Sequence, residues 1–143
     1  MPTRTASATW QGGLRGGKGS YTAESGAVGG DYGFGSRFEE AGGSNPEELL
    51  AAAEASCYSM ALSGALEGAG MKPERVDTEA RCTIEKQSGG WRITTMQLTV
   101  RARVPGADRD RFKDIAQQTK DSCPVSKALL GNVEIEVDAQ LEG

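Results

Sequence analysis

The sequence predicts an α+β domain, and three observations carry that prediction. A glycine-punctuated N-terminal third holds short runs of β-forming residues, an alanine-rich helical run follows, and period-two segments then flank a second helical pattern. Strands, helix, strands, helix, strand in that order imply antiparallel β-sheets packed around a central buried helix and a second helix. No internal repeat and no long linker divides the 143 residues, so residues 1–143 are expected to form a single domain large enough to bury a core.

The elements follow in order. Thr5 to Gln11 reads as a strand, Gly12 to Gly19 as a glycine-rich loop, and Ser20 to Glu24 as the returning strand. Tyr32 to Phe38 reads as a further strand. The first helix has a marked start: Asn45 suits the N-cap, Pro46 the first turn, and Glu47 and Glu48 the positive end of the helix dipole. Ser44 with Glu47 offers a capping-box register as an alternative. Leu50, Ala53, Cys57, Met60, Ala61 and Gly64 recur at helical spacing, with Leu49, Ala52 and Ser56 beside them, so this helix is expected to be buried. Gly68 and Gly70 stop it.

A hairpin comes next. Val76 to Lys86 leads to a turn at Ser88, Gly89 and Gly90, and Trp91 to Val104 returns. Met96, Leu98, Val100, Ala102 and Val104 alternate with polar residues, which buries one face. A second helix spans Asp108 to Asp121, with Phe112, Ile115, Ala116 and Thr119 inward. Pro124 breaks it, a short helix to Leu130 stops at Gly131, and Val133 to Leu141 alternates as a last strand.

Composition narrows the function. A net charge of −4 and a pI near 4.9 disfavour nucleic acid or an anionic membrane as partner, because both reward a basic face. The N-terminus lacks the apolar core of a signal peptide, and no apolar stretch is read as approaching the ~20 residues of a membrane span. A cytoplasmic protein is expected, in which three cysteines would not form a structural disulfide framework. Gly12, Gly17 and Lys18 meet the spacing of a phosphate-binding loop. Gly19 stands where such a loop has Ser or Thr, and a strand rather than a helix follows, so a hairpin turn is the better reading.

The chain has no histidine, which removes the general base of a Cys-His enzyme and the common histidine-containing zinc sites. Chemistry for its cysteines is then redox: one thiolate attacks and a second resolves it into a disulfide. Cys82 lies in an ordinary strand and reads as a small hydrophobe. Cys57 sits in mid-helix, away from either terminus, so acidity there requires a nearby cation. Arg15 in the glycine loop and Arg37 before the helix are the candidates, and Glu47 can hold either guanidinium. Cys123 precedes Pro124 and therefore occupies a helix N-cap, a position that favours thiolate.

Three segments together are similar to one known family. The run Ser44-Asn45-Pro46-Glu47-Glu48-Leu49 with Cys57 ten residues after Glu47, the later Ser122-Cys123-Pro124-Val125-Ser126, and the early Trp10 to Gly19 resemble the OsmC family, related to the organic hydroperoxide resistance (Ohr) proteins. The resemblance covers nearly the whole chain in the same order. Tyr32 to Phe38 resembles the OsmC branch more than the Ohr branch.

That resemblance implies an OsmC-like fold in an intertwined homodimer with two interfacial sites. It implies a thiol-dependent peroxidase that reduces organic hydroperoxides, with Cys57 peroxidatic, Cys123 resolving and Glu47 the family carboxylate. Arg37 matches the activating arginine of the OsmC branch, and Arg15 the glycine-loop arginine of the Ohr branch. The implied reductant is a dithiol on a lipoylated protein, and no metal, haem or nucleotide cofactor is called for. A non-catalytic redox sensor or small-ligand-binding stress protein is the alternative. Helix geometry adds one constraint: ten residues place Glu47 about 15 Å along the axis from Cys57. Within one straight helix Glu47 cannot touch that sulfur, so a Glu47 that belongs to the site comes from the partner chain or acts through an arginine, which agrees with an interfacial site.

Overall fold

The protein is described here by a computed structural model covering residues 1–142. The chain divides into two compact units, residues 1–49 and the part from Leu50 onward.

The first unit is a three-stranded antiparallel sheet of β1 (Ala6–Gln11), β2 (Lys18–Ala23) and β3 (Gly29–Tyr32), followed by a short helix α1 (Phe34–Phe38). The segment between β1 and β2 is a hairpin turn, closed by the Gly17 N–H on the Gly13 carbonyl at 2.9 Å. Trp10 pairs with Gly19 across the hairpin, and the rings of Trp10 and Tyr32 meet with centroids 5.5 Å apart. A Cβ on Gly19 would lie 2.6 Å from the Tyr32 ring and 2.7 Å from that of Trp10, so only glycine admits this pair.

The expected strand from Tyr32 to Phe38 is not formed: β3 ends at Tyr32 and the rest is α1. Ser36 causes the turn locally. The Gly33 N–H donates to its Oγ at 2.9 Å, and that hydroxyl donates back to the Gly33 carbonyl at 3.1 Å. Side-chain bonds of this kind compete with strand pairing.

Helix α2 (Pro46–Gly68) starts where the sequence places it, with the Glu48 N–H on Asn45 Oδ1 at 2.7 Å. The Ser44–Glu47 capping register is not adopted; Ser44 Oγ instead reaches Glu48 Oε1 at 3.5 Å. The helix stops at Gly70, whose φ of +85° is left-handed, while the Met71 N–H bonds the Leu66 carbonyl.

The buried stripe of α2 is rotated from the expected one. Glu54, Tyr58, Leu62 and Leu66 are fully buried, whereas Met60 is 82% exposed and Ala53 and Gly64 face outward. The small size of the alanines hides the phase, because they fit either face, and the large residues decide it. In this chain α2 is therefore half covered rather than buried all round. Its 23 residues include an 18-residue window with a mean hydropathy of 1.3, so by length and apolarity the helix reaches a membrane span, contrary to the sequence reading. Tyr58, Leu62 and Leu66 nevertheless pack into the protein core.

The second sheet has β4 (Arg75–Gln87) antiparallel to β5 (Gly90–Arg103), and β6 (Glu134–Leu141) beside β5. Met96, Leu98, Val100, Ala102 and Val104 are buried as their alternation requires. The pairing of β6 with β5 is parallel, which departs from the antiparallel expectation. A parallel neighbour needs a crossover, and α3 (Arg109–Ser122) with α4 (Pro124–Leu129) supplies it. Asp108 caps α3, accepting from the Arg111 N–H at 3.4 Å. Phe112, Ala116 and Thr119 are buried from α3 against Tyr58, Leu62 and the β5 residues. Full burial of a side chain such as Phe112 contributes about 1.5–3 kcal/mol.

Candidate active site

The first unit brings together Arg37 and Glu47. Arg37 lies on α1 and Glu47 in the first turn of α2, and Arg37 Nε donates to Glu47 Oε1 at 2.9 Å. The turn at Gly33–Ser36 and the Asn45 amide on the Ser36 carbonyl at 3.0 Å fix the two segments. Glu47 is only 6% exposed, and its second oxygen is buried without a hydrogen-bond partner among the described residues. A buried carboxylate oxygen left open in this way has capacity for a further donor.

Arg15 does not join this pair. Its guanidinium stands over the Phe34 ring, 4.5 Å from the centroid, while that of Arg37 lies 5.1 Å from the centroid of Phe38. Of the two arginines weighed from the sequence, the carboxylate holds Arg37. Trp10, Leu14, Tyr32, Gly33, Phe34, Arg37 and Phe38 surround a cavity of about 270 Å³. Its walls are aromatic and its one charged wall residue is Arg37, a combination that suits an apolar molecule with a polar end.

The second unit brings together the two cysteines singled out from the sequence. Cys123 Sγ donates to Cys57 Sγ at 3.0 Å, although the two lie 66 positions apart in sequence. Cys57 is half-buried and Cys123 wholly buried. Both are unbridged thiols. Cys123 closes α3 and opens α4, with Pro124 in the first turn as expected. Its sulfur does not cap α4; it turns to Cys57 instead.

Burial, first of all, pushes the Cys57 thiol up from its ordinary value. The bond with Cys123 adds to this, since ionisation forfeits it whenever Cys57 carries the shared hydrogen. Charge on Cys123 or on Glu54 acts in the same direction, and a backbone bond at Val125 opposes it. None of these groups is a cation, so a reactive thiolate at Cys57 needs positive charge from elsewhere. Of the residues expected on the buried stripe with Cys57, Leu50 packs on the core, whereas Met60 points to solvent. Cys82 is half-buried in β4, opposite Met96 of β5.

Two polar residues of this region were not singled out from the sequence. Glu54 lies one turn before Cys57, wholly buried, and Ser126 Oγ donates to its Oε1 in a short bond. Burial pushes the Glu54 carboxyl up, and the Ser126 bond partly offsets this. Tyr58, whose hydroxyl donates to the Ala116 carbonyl at 2.7 Å, is also pushed up, first by burial and then by the charges of Cys123 and Glu54. The four-residue spacing of Leu50, Glu54, Tyr58, Leu62 and Leu66 was the available signal. It places a lone carboxylate within an apolar row.

The chain is 44% identical over 136 residues to peroxiredoxin OsmC of Escherichia coli strain K12, which covers 94% of each protein. It is 30% identical over 94 residues to the organic hydroperoxide resistance protein of Xanthomonas axonopodis pv. citri, covering 65% of this chain and 64% of that one. Among solved structures, organic hydroperoxide resistance protein OhrB of Bacillus subtilis matches with a TM-score of 0.72 at 25% identity, over 95% of this chain and 98% of that one. An OsmC-like protein from Mycoplasma pneumoniae shares the fold with a TM-score of 0.75 at 13% identity, over 99% of each chain. The family model for OsmC-like proteins matches residues 39–138, well over half of the sequence, and the chain therefore belongs to the OsmC-like protein family.

Proposed function

We propose that this chain is a thiol-dependent peroxidase that reduces organic hydroperoxides to alcohols through Cys57 and Cys123. The observation that carries the reading is the 3.0 Å approach of the two sulfurs, which leaves little further movement before a disulfide forms. The names of the relatives, a peroxiredoxin and organic hydroperoxide resistance proteins, support the same activity.

In the proposed cycle the Cys57 thiolate attacks the terminal peroxide oxygen. The S–O bond forms, the O–O bond breaks, and the alkoxide leaves as alcohol after taking a proton. Arg37, held by Glu47, stabilises the thiolate and the charge on the departing oxygen. Cys57 is now a sulfenic acid, which Cys123 converts to the disulfide with loss of water. An external dithiol, of the kind carried by lipoylated proteins, then reduces the disulfide. No step calls for a metal, haem or nucleotide. The cavity beside Arg37 accommodates the apolar part of an organic hydroperoxide better than it would hydrogen peroxide.

This reading includes a cytoplasmic homodimer in which the Arg37–Glu47 pair of one protomer serves the thiols of the other. The Glu47–Cys57 spacing along α2 and the uncovered small-residue face of that helix support it. Light scattering should then report about twice 15.0 kDa. A monomer with full activity at assay concentration would rule out an interfacial site.

The test of the cycle is one equivalent of cumene hydroperoxide added to the reduced protein. The wild type should yield a Cys57–Cys123 disulfide visible by mass spectrometry. Cys123→Ser should instead accumulate a sulfenic acid that dimedone traps and that excess hydroperoxide overoxidises. Absence of the disulfide in the wild type would sink the two-cysteine cycle. Loss of thiols without catalytic consumption of hydroperoxide would favour the redox sensor.

A further inference from the structure

Two side-chain contacts tie α2 to α4, and they are arranged as successive rungs. Cys57 meets Cys123, and three residues earlier on α2 Glu54 meets Ser126, three residues later in sequence. On α2 the two rungs are about 4.5 Å apart along the axis. Glu54, Ser126 and Cys123 are all at 0% exposure. Helix α4 has only six residues, too few to be stable alone, so the position of Cys123 depends on what holds α4. Val125 and Leu129 give it half-buried apolar contacts, which are non-directional, and the Val125 backbone adds a bond to the Cys57 sulfur itself. The Ser126–Glu54 bond is directional, and it fixes how far α4 can slide along α2.

We propose that Glu54 and Ser126 are positioning residues for resolution: their bond holds Cys123 against Cys57, so that the sulfenic acid closes to a disulfide before a second hydroperoxide reaches it. This deepens the two-cysteine reading and rests on it. In the step concerned, the Cys123 sulfur attacks the Cys57 sulfur, the S–S bond forms and the Cys57 S–O bond breaks. The thiol hydrogen leaves with the hydroxyl as water, and no further reactant enters. The rung matters because it sets the effective concentration of one sulfur at the other.

The same carboxyl has a second, separable effect. The titratable groups that respond to Glu54 or share its surroundings are Cys57 and Tyr58 on α2 and Cys123 at the head of α4. Negative charge on Glu54 disfavours the Cys57 thiolate, so its removal should shift Cys57 ionisation to lower pH.

The experiment equilibrates the full-length protein with dithiothreitol redox buffers and reads the effective concentration of the Cys57–Cys123 pair, without any peroxide. Ser126→Ala should lower it at least fivefold. Glu54→Leu should lower it similarly while thermal stability holds or rises, because leucine extends the Leu50, Tyr58, Leu62 row. A merely structural role for Glu54 would predict the opposite, a loss of stability. Glu54→Gln keeps an acceptor oxygen, so its effective concentration should stay within twofold of wild type, while iodoacetamide alkylation of Cys57 moves to lower pH. An unchanged effective concentration in both Ser126→Ala and Glu54→Leu overturns the proposal. So does a fall in Glu54→Gln as large as in Ser126→Ala. A wild type that closes the disulfide in these buffers but not with cumene hydroperoxide would reject the peroxidase cycle and leave the rung standing.

Discussion

Cys57→Ser is expected to abolish dithiol-supported consumption of cumene hydroperoxide, with a loss of at least a thousandfold. The attacking species is a thiolate, and a serine hydroxyl is far too basic to supply its equivalent near neutral pH. The fold should survive, because Cys57 is only half-buried at the edge of the core and the smaller oxygen leaves no clash. Cys123 cannot substitute in place: it is wholly buried behind Cys57 and loses the sulfur it is bonded to. The measurement is steady-state turnover with circular dichroism as a control for folding. A folded variant that kept even a tenth of wild-type turnover would remove Cys57 from the centre of the proposal.

The second large effect is expected at Arg37. Arg37→Ala should slow oxidation of Cys57 about a hundredfold, because one oriented donor to a developing oxyanion is worth roughly 10²–10³ in rate. It should also move Cys57 alkylation to higher pH. The sign follows from the charges: the groups around Cys57 in its own unit push the thiol up, and loss of the only proposed compensating cation leaves that push unopposed. Glu47 would be left buried without its partner, so some loss of stability should accompany the change. Arg37→Lys should rescue partly, since an ammonium brings charge without the planar fork. Arg15→Ala should cost less than tenfold, because Arg15 stacks on Phe34 and does not pair with Glu47. Stopped-flow oxidation of both variants decides the matter, and a larger loss in Arg15→Ala would exchange the roles of the two arginines.

Much of this was legible in the sequence because short-range chemistry decides it. The Asn45 cap, the proline at the head of α4 and the alternation of β5 each act within a few residues, and each element forms where those signals place it. The Arg37–Glu47 pair was also within reach, because few acids can meet that arginine near the head of α2. What escaped depends on competition over longer range. Ser36 turns the chain after Gly33 and converts an apparent strand into α1. An alanine-rich helix carries little phase information, so its buried face was misread by about one residue until Tyr58, Leu62 and Leu66 found their partners. Parallel pairing of β6 follows from where α3 and α4 return the chain, which periodicity does not reveal. Glu54 was overlooked for a related reason: a carboxylate in a helix reads as solvated until its row is seen to be apolar.

The placement of Cys123 on the crossover between β5 and β6 ties chemistry to topology. The two sulfurs, 66 positions apart in sequence, bracket a stretch that contains the whole β4–β5 hairpin and all of α3. Bonding them would turn that stretch into a closed loop and remove roughly 4 kcal/mol of chain entropy from the unfolded state. Each oxidation would then brace the same elements that form the core, and each reduction would release them. In the proposed cycle the protein would alternate between a more stable and a less stable form of one fold. A reductant acting in the proposed cycle would therefore work against this added stability as well as against the sulfur–sulfur bond. Its potential would have to be matched to the difference in folding stability between the oxidised and reduced forms, so substitutions that shrink this difference, even far from either cysteine, would make the disulfide easier to reduce.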